Sequence, residues 1–151
     1  PWGRPDMALF KFTQKILAGE PIDVYGYGEQ SRDFTYIDDI VEGIVRVLAS
    51  PAQVSDNWDA KQPDPSLAGA PYRIYNIGSN SPQPLMRYIE VLEDSLGVEA
   101  QKNMLPMQPG DVKDTYADVS NLIADVGYKP DTSIDVGVKR FVEWYRNYFK
   151  I

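Results

Sequence analysis

Apolar and polar positions along the chain fall into stretches of helical period and stretches of strand period. Leu9, Phe10, Ile16 and Leu17 supply apolar faces at helical spacing, which predicts a helix over residues 7–18. Pro5 and Asp6 open it, and Gly19 can take the left-handed conformation that ends it. Residues 22–25 read as a strand, Gly26 and Gly28 as a turn, and residues 33–37 alternate like a second strand. Asp38 or Asp39 then caps a helix to about residue 48, with Ile40, Val41, Ile44, Val45 and Leu48 on one face.

Residues 50–71 hold Pro51, Pro63, Pro65 and Pro71 and show little periodicity, so they read as a long excursion. Residues 72–77 are rich in aromatic and β-branched types, a strand pattern. A helix follows over about 84–96, with Leu85, Tyr88, Ile89, Leu92 and Leu96 in register and Gly97 after it. Residues 101–112 read as loop and 114–117 as a short strand. Asp118 caps a short helix ending at Gly127, and a last helix runs from about 133 to 148 through Ile134, Val138, Phe141, Val142 and Tyr145. The content is α/β, but the strands are too few and short to make a complete doubly wound sheet.

A chain of 151 residues suits one domain, or a portion of a larger protein, and can bury a sizeable core. We take residues 1–151 as a single domain or a fragment of a two-domain protein. The opening Pro1-Trp2-Gly3-Arg4-Pro5 reads as the interior of a longer chain, with a processed start as the plainer alternative. With 15 basic against 22 acidic residues the net charge is -7, which disfavours nucleic acid and anionic membranes as partners. No apolar run approaches the roughly 20 residues of a membrane span and no signal peptide opens the chain, so a cytoplasmic location is expected. The absence of Cys and His excludes disulfides, thiol catalysis, Ser-His-Asp chemistry and His-ligated metal within this chain.

The motifs that hold a dinucleotide are missing too. Gly26-Tyr27-Gly28 is followed by Ser31 where a third Gly would sit, so it reads as a turn rather than a cofactor loop. No Tyr is followed four residues later by Lys, the pair that makes a tyrosinate base beside a cofactor. Asp38-Asp39 reads as helix capping and dipole compensation rather than an acid–base pair. Asp111, Asp114 and Asp118 read as loop contacts and a cap rather than metal ligands. Arg32 opens a strand beside Asp33, where its guanidinium could hold a phosphate bidentately or pair with an acidic neighbour. Arg4, just before a helix start, could hold an anion or stand exposed. Trp144, Tyr145, Tyr148 and Phe149 read as packing rather than a base-stacking platform.

Five stretches in order then resemble one family. They are residues 1–7 (PWGRPDM), 32–41 (RDFTYIDDIV), 75–78 (YNIG), 107–112 (MQPGDV) and 115–118 (TYAD). Together they resemble the C-terminal half of the extended short-chain dehydrogenase/reductase sugar-nucleotide epimerases, nearest to the UDP-glucuronate 4-epimerases. The resemblance covers nearly the whole chain. It implies a Rossmann-type α/β enzyme whose N-terminal NAD-binding core lies upstream, leaving mixed helices and short strands here. In that family a tyrosine takes the sugar 4-hydroxyl proton while hydride moves to NAD, and the 4-keto sugar turns to receive hydride on its other face.

The resemblance further implies roles for five residues of this chain. Arg32 resembles the arginine that binds the diphosphate, and Asp111 the carboxylate that accepts a uridine ribose hydroxyl. Tyr25 resembles an aromatic position that meets uracil. Gln108 sits where UDP-galactose epimerases often carry an arginine to the diphosphate. Arg4 falls where the glucuronate subgroup meets the sugar carboxylate, and the helix beginning near Met7 would turn backbone N–H groups toward the diphosphate. The implied partner is a UDP-sugar. The implied cofactor is NAD, held mainly by the absent part, with none expected for this chain alone. The full-length enzyme would be a homodimer and the chain by itself inactive. Rival readings are a nucleotide-sugar decarboxylase, dehydratase or reductase of the same superfamily, a non-catalytic UDP-sugar binding module, or a plain structural or interaction domain.

Overall fold

The computed structural model describes residues 5–151. In chain order the elements are α1 (Ala8–Leu17), β1 (Ile22–Val24), a 3-10 turn (Tyr25–Gly28), β2 (Ser31–Arg32), α2 (Ile37–Ala49) and β3 (Gln83–Pro84). There follow α3 (Leu85–Leu96), β4 (Lys102–Met104), α4 (Ser120–Val126) and α5 (Ile134–Phe149). The mixed α/β content is as expected, and the chain divides into two compact units. The first holds the described residues up to Arg32, Pro82–Thr115 and Ser133–Ile151; the second holds Asp33–Ser81 and Tyr116–Thr132.

In the first unit, α3 and α5 pack on each other, β1 and β4 form a two-stranded parallel ladder, and α1 packs on both α3 and β1. Ile22, Ile89 and Leu92 are fully buried there, as is Val24. Side chains of this size each stabilise by about 1.5–3 kcal/mol when taken out of water. Gly97, at φ 70, ends α3 by returning its N–H to the Glu93 carbonyl. Ser133 caps α5, its Oγ accepting from the Val136 N–H at 3.4 Å. Phe10 of α1 meets Tyr145 edge-on at 5.2 Å between ring centroids, so the terminal helix is tied to the first one by aromatic contacts. Tyr145 is buried, whereas Trp144, Tyr148 and Phe149 stay partly exposed and stack among themselves.

The strands differ from the sequence expectation. Residues 101–112 contain a strand after all, because Lys102, Asn103 and Met104 stand opposite Ile22, Asp23 and Val24. Pairing with a buried partner, not alternation of their own, makes them a strand. Residues 33–37 form no ladder. The strand stops at Arg32, which faces Gln83 in the antiparallel pair of β2 with β3. Residues 72–77 and 114–117 shrink to single bridges at Arg73 and Asp114.

In the second unit the reason is visible at Asp33. Its carboxylate accepts from Ser79 Oγ at 2.6 Å and from the backbone N–H groups of Asn80, Ser81 and Ala117. A side chain thus takes the amides that a neighbouring strand would have taken. Gly78 lets this happen, since a Cβ there would lie 2.4 Å from Ala117 Cβ and 3.0 Å from the Asp33 carboxylate.

Helix α2 also departs from its expected cap. Its first residue is preceded by Tyr36, which offers no side-chain cap, so neither Asp38 nor Asp39 caps the helix. Both lie in its first turn, where their charges oppose the positive end of the dipole. Asp39 turns inward, accepting from the Thr132 N–H at 2.9 Å and Thr132 Oγ1 at 2.8 Å. Gly43, one turn on, is closed over by Ile77. The apolar stripe of α2 is largely open: Val41, Ile44, Val45 and Leu48 are 46–74% exposed. Among the described residues no helix is long and apolar enough to cross a membrane.

Candidate functional site

Two adjoining pieces of backbone assemble the site in the first unit. Strand β2 is pinned on one side by β3, and its Ser31 N–H donates to the Lys113 carbonyl at 3.0 Å. The loop that carries Asp111 is thereby brought beside Arg32. Arg32 NH2 donates to Asp111 Oδ1 at 3.0 Å and to Gln30 Oε1 at 3.3 Å. Its NH1 donates to the Lys113 and Ser31 carbonyls at 2.8 and 2.9 Å. Gln30 Nε2 donates to Asp111 Oδ2 at 2.8 Å, closing a three-membered ring of side chains.

The cluster is partly solvent-open: the Arg32 and Asp111 side chains are 23% and 35% exposed, while Gln30 is buried. The Gln30 amide foremost, with the Val112 N–H and the Arg32 guanidinium, holds the Asp111 carboxyl below the usual carboxylate range. At neutral pH the set is therefore one fixed cation, one carboxylate and one amide. Such a set recognises rather than reacts: the cation suits an anion, and the carboxylate has remaining lone pairs for a hydroxyl donor.

The five residues singled out from the sequence are placed unevenly. Arg32 and Asp111 come together. Tyr25 is half-buried and opens the 3-10 turn instead of lying on the strand, which ends at Val24. That turn closes over the cluster, because Gly26 packs against the Gln30 side chain. Gln108 is exposed, and its backbone carbonyl accepts from the Asp111 N–H at 3.1 Å, so it shapes the turn that presents Asp111. Arg4 lies outside the described residues. Of the other acidic residues weighed, Asp114 accepts from Ser31 Oγ, the loop contact expected of it, whereas Asp118 is not the cap of α4: Val119 holds that position, and Asp118 instead accepts from the Ser120 N–H and Oγ one residue further out.

Sequence reasoning missed Gln30. A signal existed, since residues two apart on an extended segment share a face, which puts Gln30 beside Arg32. A neutral amide draws no attention by composition or charge.

The Gly26-Tyr27-Gly28 turn is crowded by neighbouring side chains. A Cβ on Gly26 would meet Gln30 Cγ at 3.2 Å, and one on Gly28 would meet Met86 Sδ at 2.6 Å. Both glycines are covered by protein side chains, so this turn leaves no backbone open to a pyrophosphate.

Comparison with known proteins places the chain. A family model described as the NAD dependent epimerase/dehydratase family matches residues 1–78. Protein CapI of Staphylococcus aureus is 53% identical over 150 residues, covering 99% of this chain and 45% of that protein. A probable UDP-glucuronate 4-epimerase of Rhizobium meliloti is 51% identical over 150 residues, covering 98% of this chain and 44% of that protein. The crystal structure of a UDP-glucuronic acid 4-epimerase from Bacillus cereus, in complex with UDP-glucuronic acid and NAD, superposes with a TM-score of 0.77. It is 30% identical, covering 98% of this chain and 42% of that one. The chain thus spans about half the length of the relatives it matches, and it belongs to the NAD dependent epimerase/dehydratase family.

Proposed function

We propose that this chain is the substrate-binding portion of a nucleotide-sugar 4-epimerase that interconverts UDP-glucuronate and UDP-galacturonate. The observation that carries the reading is the Arg32–Asp111 pair, assembled from distant parts of the chain beside a rigid strand. Arg32 supplies the charge for a diphosphate, and Asp111 Oδ2 has acceptor capacity for a ribose hydroxyl. Tyr25 lies at the edge of the same turn as the candidate contact to uracil, and Gln108 shapes the loop behind Asp111. Arg4 is the candidate for the sugar carboxylate. The names of the R. meliloti and B. cereus relatives favour glucuronate over a neutral sugar.

NAD is assigned to the part of the protein beyond this chain, since the glycine turn here is filled. No catalytic residue is assigned within residues 1–151, and the chain alone should not turn over substrate. The whole enzyme would act as a homodimer on a free UDP-sugar in the cytoplasm.

Calorimetric titration with UDP, UDP-glucuronate and UDP-glucose tests the reading, alongside Arg32→Ala and Arg4→Ala. UDP binding lost in Arg32→Ala, with a glucuronate preference lost in Arg4→Ala, supports it. A folded protein carrying this chain that binds none of the three refutes it. Epimer formed by the pure chain with NAD would refute the assignment of catalysis elsewhere.

A further inference from the structure

We propose that Gln30 is the positioning residue of this site, its amide holding the Arg32 guanidinium with one end and the second oxygen of the Asp111 carboxylate with the other, so that both groups keep their places when a diphosphate and a ribose hydroxyl are met at once. This rests on the UDP-sugar reading and deepens it.

Three observations carry it. First, Gln30 touches both groups with opposite ends of one amide: Oε1 accepts from Arg32 and Nε2 donates to Asp111. Only this amide orientation is chemically sensible, because the reverse would set N–H against guanidinium and oxygen against carboxylate. Second, the amide is held from elsewhere. The Gln30 backbone carbonyl accepts from the Leu85 N–H at 2.8 Å, at the start of α3, and Gly26 packs on its side-chain stem. Gln30 is only 7% exposed, so its rotamer is fixed by its surroundings rather than by solvent. Third, Arg32 and Asp111 are only partly buried and are themselves paired at 3.0 Å, so an incoming anion can reach the guanidinium and compete for it. When a diphosphate competes for the guanidinium, Asp111 stays in place because Gln30 keeps hold of its other oxygen.

The Asp111 carboxyl also feels Gln30 more than any other neighbour, as the leading cause of its lowered pKa. The other charges nearby are Arg32 on β2 and, along the Asp111 loop, Lys113 paired with Glu29 and Asp114 bonded to Ser31. Of these, Arg32 is bonded to Gln30 directly, whereas Lys113 and Asp114 are bonded to Glu29 and Ser31.

The test uses Gln30→Met, which keeps the shape and removes both polar ends, and Gln30→Glu, which keeps the acceptor for Arg32 but turns a second carboxylate on Asp111. Two readouts are taken on the protein that carries this chain: affinity for UDP, and the Asp111 carboxyl titration followed by carbon NMR. Gln30→Met should weaken UDP by about tenfold and move the Asp111 titration upward; Gln30→Glu should move it further. A merely structural loss of stability would leave that titration where it is in the folded fraction. Should Gln30→Met not fold, Gln30→Glu carries both readouts.

If Arg32→Ala abolishes UDP binding but both Gln30 variants bind like the parent with Asp111 unmoved, the positioning role is overturned and the UDP reading stands. If the parent binds no UDP although Asp111 responds to Gln30, the UDP reading falls and takes the positioning role with it.

Discussion

Arg32 and Asp111 lie 79 residues apart in sequence and 3.0 Å apart in space, joined through NH2 and Oδ1. Their meeting depends on Ser31, which donates to the Lys113 carbonyl through its backbone and to Asp114 through its hydroxyl. A strand of two residues thus holds a loop that has no regular structure of its own.

Arg32→Lys is the informative substitution at this pair. Lysine keeps the charge but cannot span Asp111, Gln30 and two carbonyls with one ammonium. UDP affinity should fall about 10-fold in Arg32→Lys and about 100-fold in Arg32→Ala, in line with roughly 1.5–3 kcal/mol for hydrogen bonds to a charged group. Calorimetry reads both. Equal affinity of the lysine variant and the parent would reduce the site to a simple point charge.

Asp111 gives a pH dependence with a definite sign. Its folded carboxyl lies below the ordinary value of 3.8, chiefly through Gln30. Such a group adds stability that is fully present above its unfolded value and is lost as pH falls through the folded one. The thermal midpoint of the parent should therefore exceed that of Asp111→Asn at neutral pH, and the gap should narrow below pH 3.8. A gap that stays constant into acid would mean Asp111 does not titrate against this cluster.

The helices were the legible part of the fold. Leucines and isoleucines at helical spacing mark α3 by local physics alone, and Gly97 and Gly127 stop α3 and α4 where the sequence places their ends. The strands were not. Lys102-Asn103-Met104 has no strand pattern and becomes one only because Ile22-Asp23-Val24 stands opposite. Residues 33–37 have the pattern and form no ladder, because the Asp33 carboxylate binds the loop amides instead. At the site, charge and strand position pointed to Arg32, whereas Gln30 had only its two-residue spacing from Arg32 to mark it, and its bond to Asp111 emerges from the register that brings that loop across. The stripe of α2 was legible too, but periodicity says which residues share a stripe, not whether it is packed, and Val41, Ile44, Val45 and Leu48 are exposed.

Gly78→Ala should be costly although it adds one methyl group. The new Cβ would stand 2.4 Å from Ala117 Cβ, within van der Waals overlap, and crowd the Asp33 carboxylate at 3.0 Å. Overpacking of this kind costs about 1–3 kcal/mol, and the loosened Asp33 bonds add to it. Urea unfolding checks this. A loss under about 0.5 kcal/mol would show that the 78–81 loop yields easily.

Two leucines with similar sequence surroundings should behave oppositely. Leu92 on α3 is fully buried between its neighbours, so Leu92→Ala removes buried surface and leaves a cavity, at about 2–5 kcal/mol. Leu48 on α2 is 74% exposed, so Leu48→Ser should change the stability of the chain by less than about 0.5 kcal/mol. Both sit on apolar stripes of amphipathic helices, and a stripe rule alone would rank them equal. Thermal or urea unfolding of the two variants side by side decides between stripe and packing. A large loss in Leu48→Ser would mean that the open face of α2 is buried in solution.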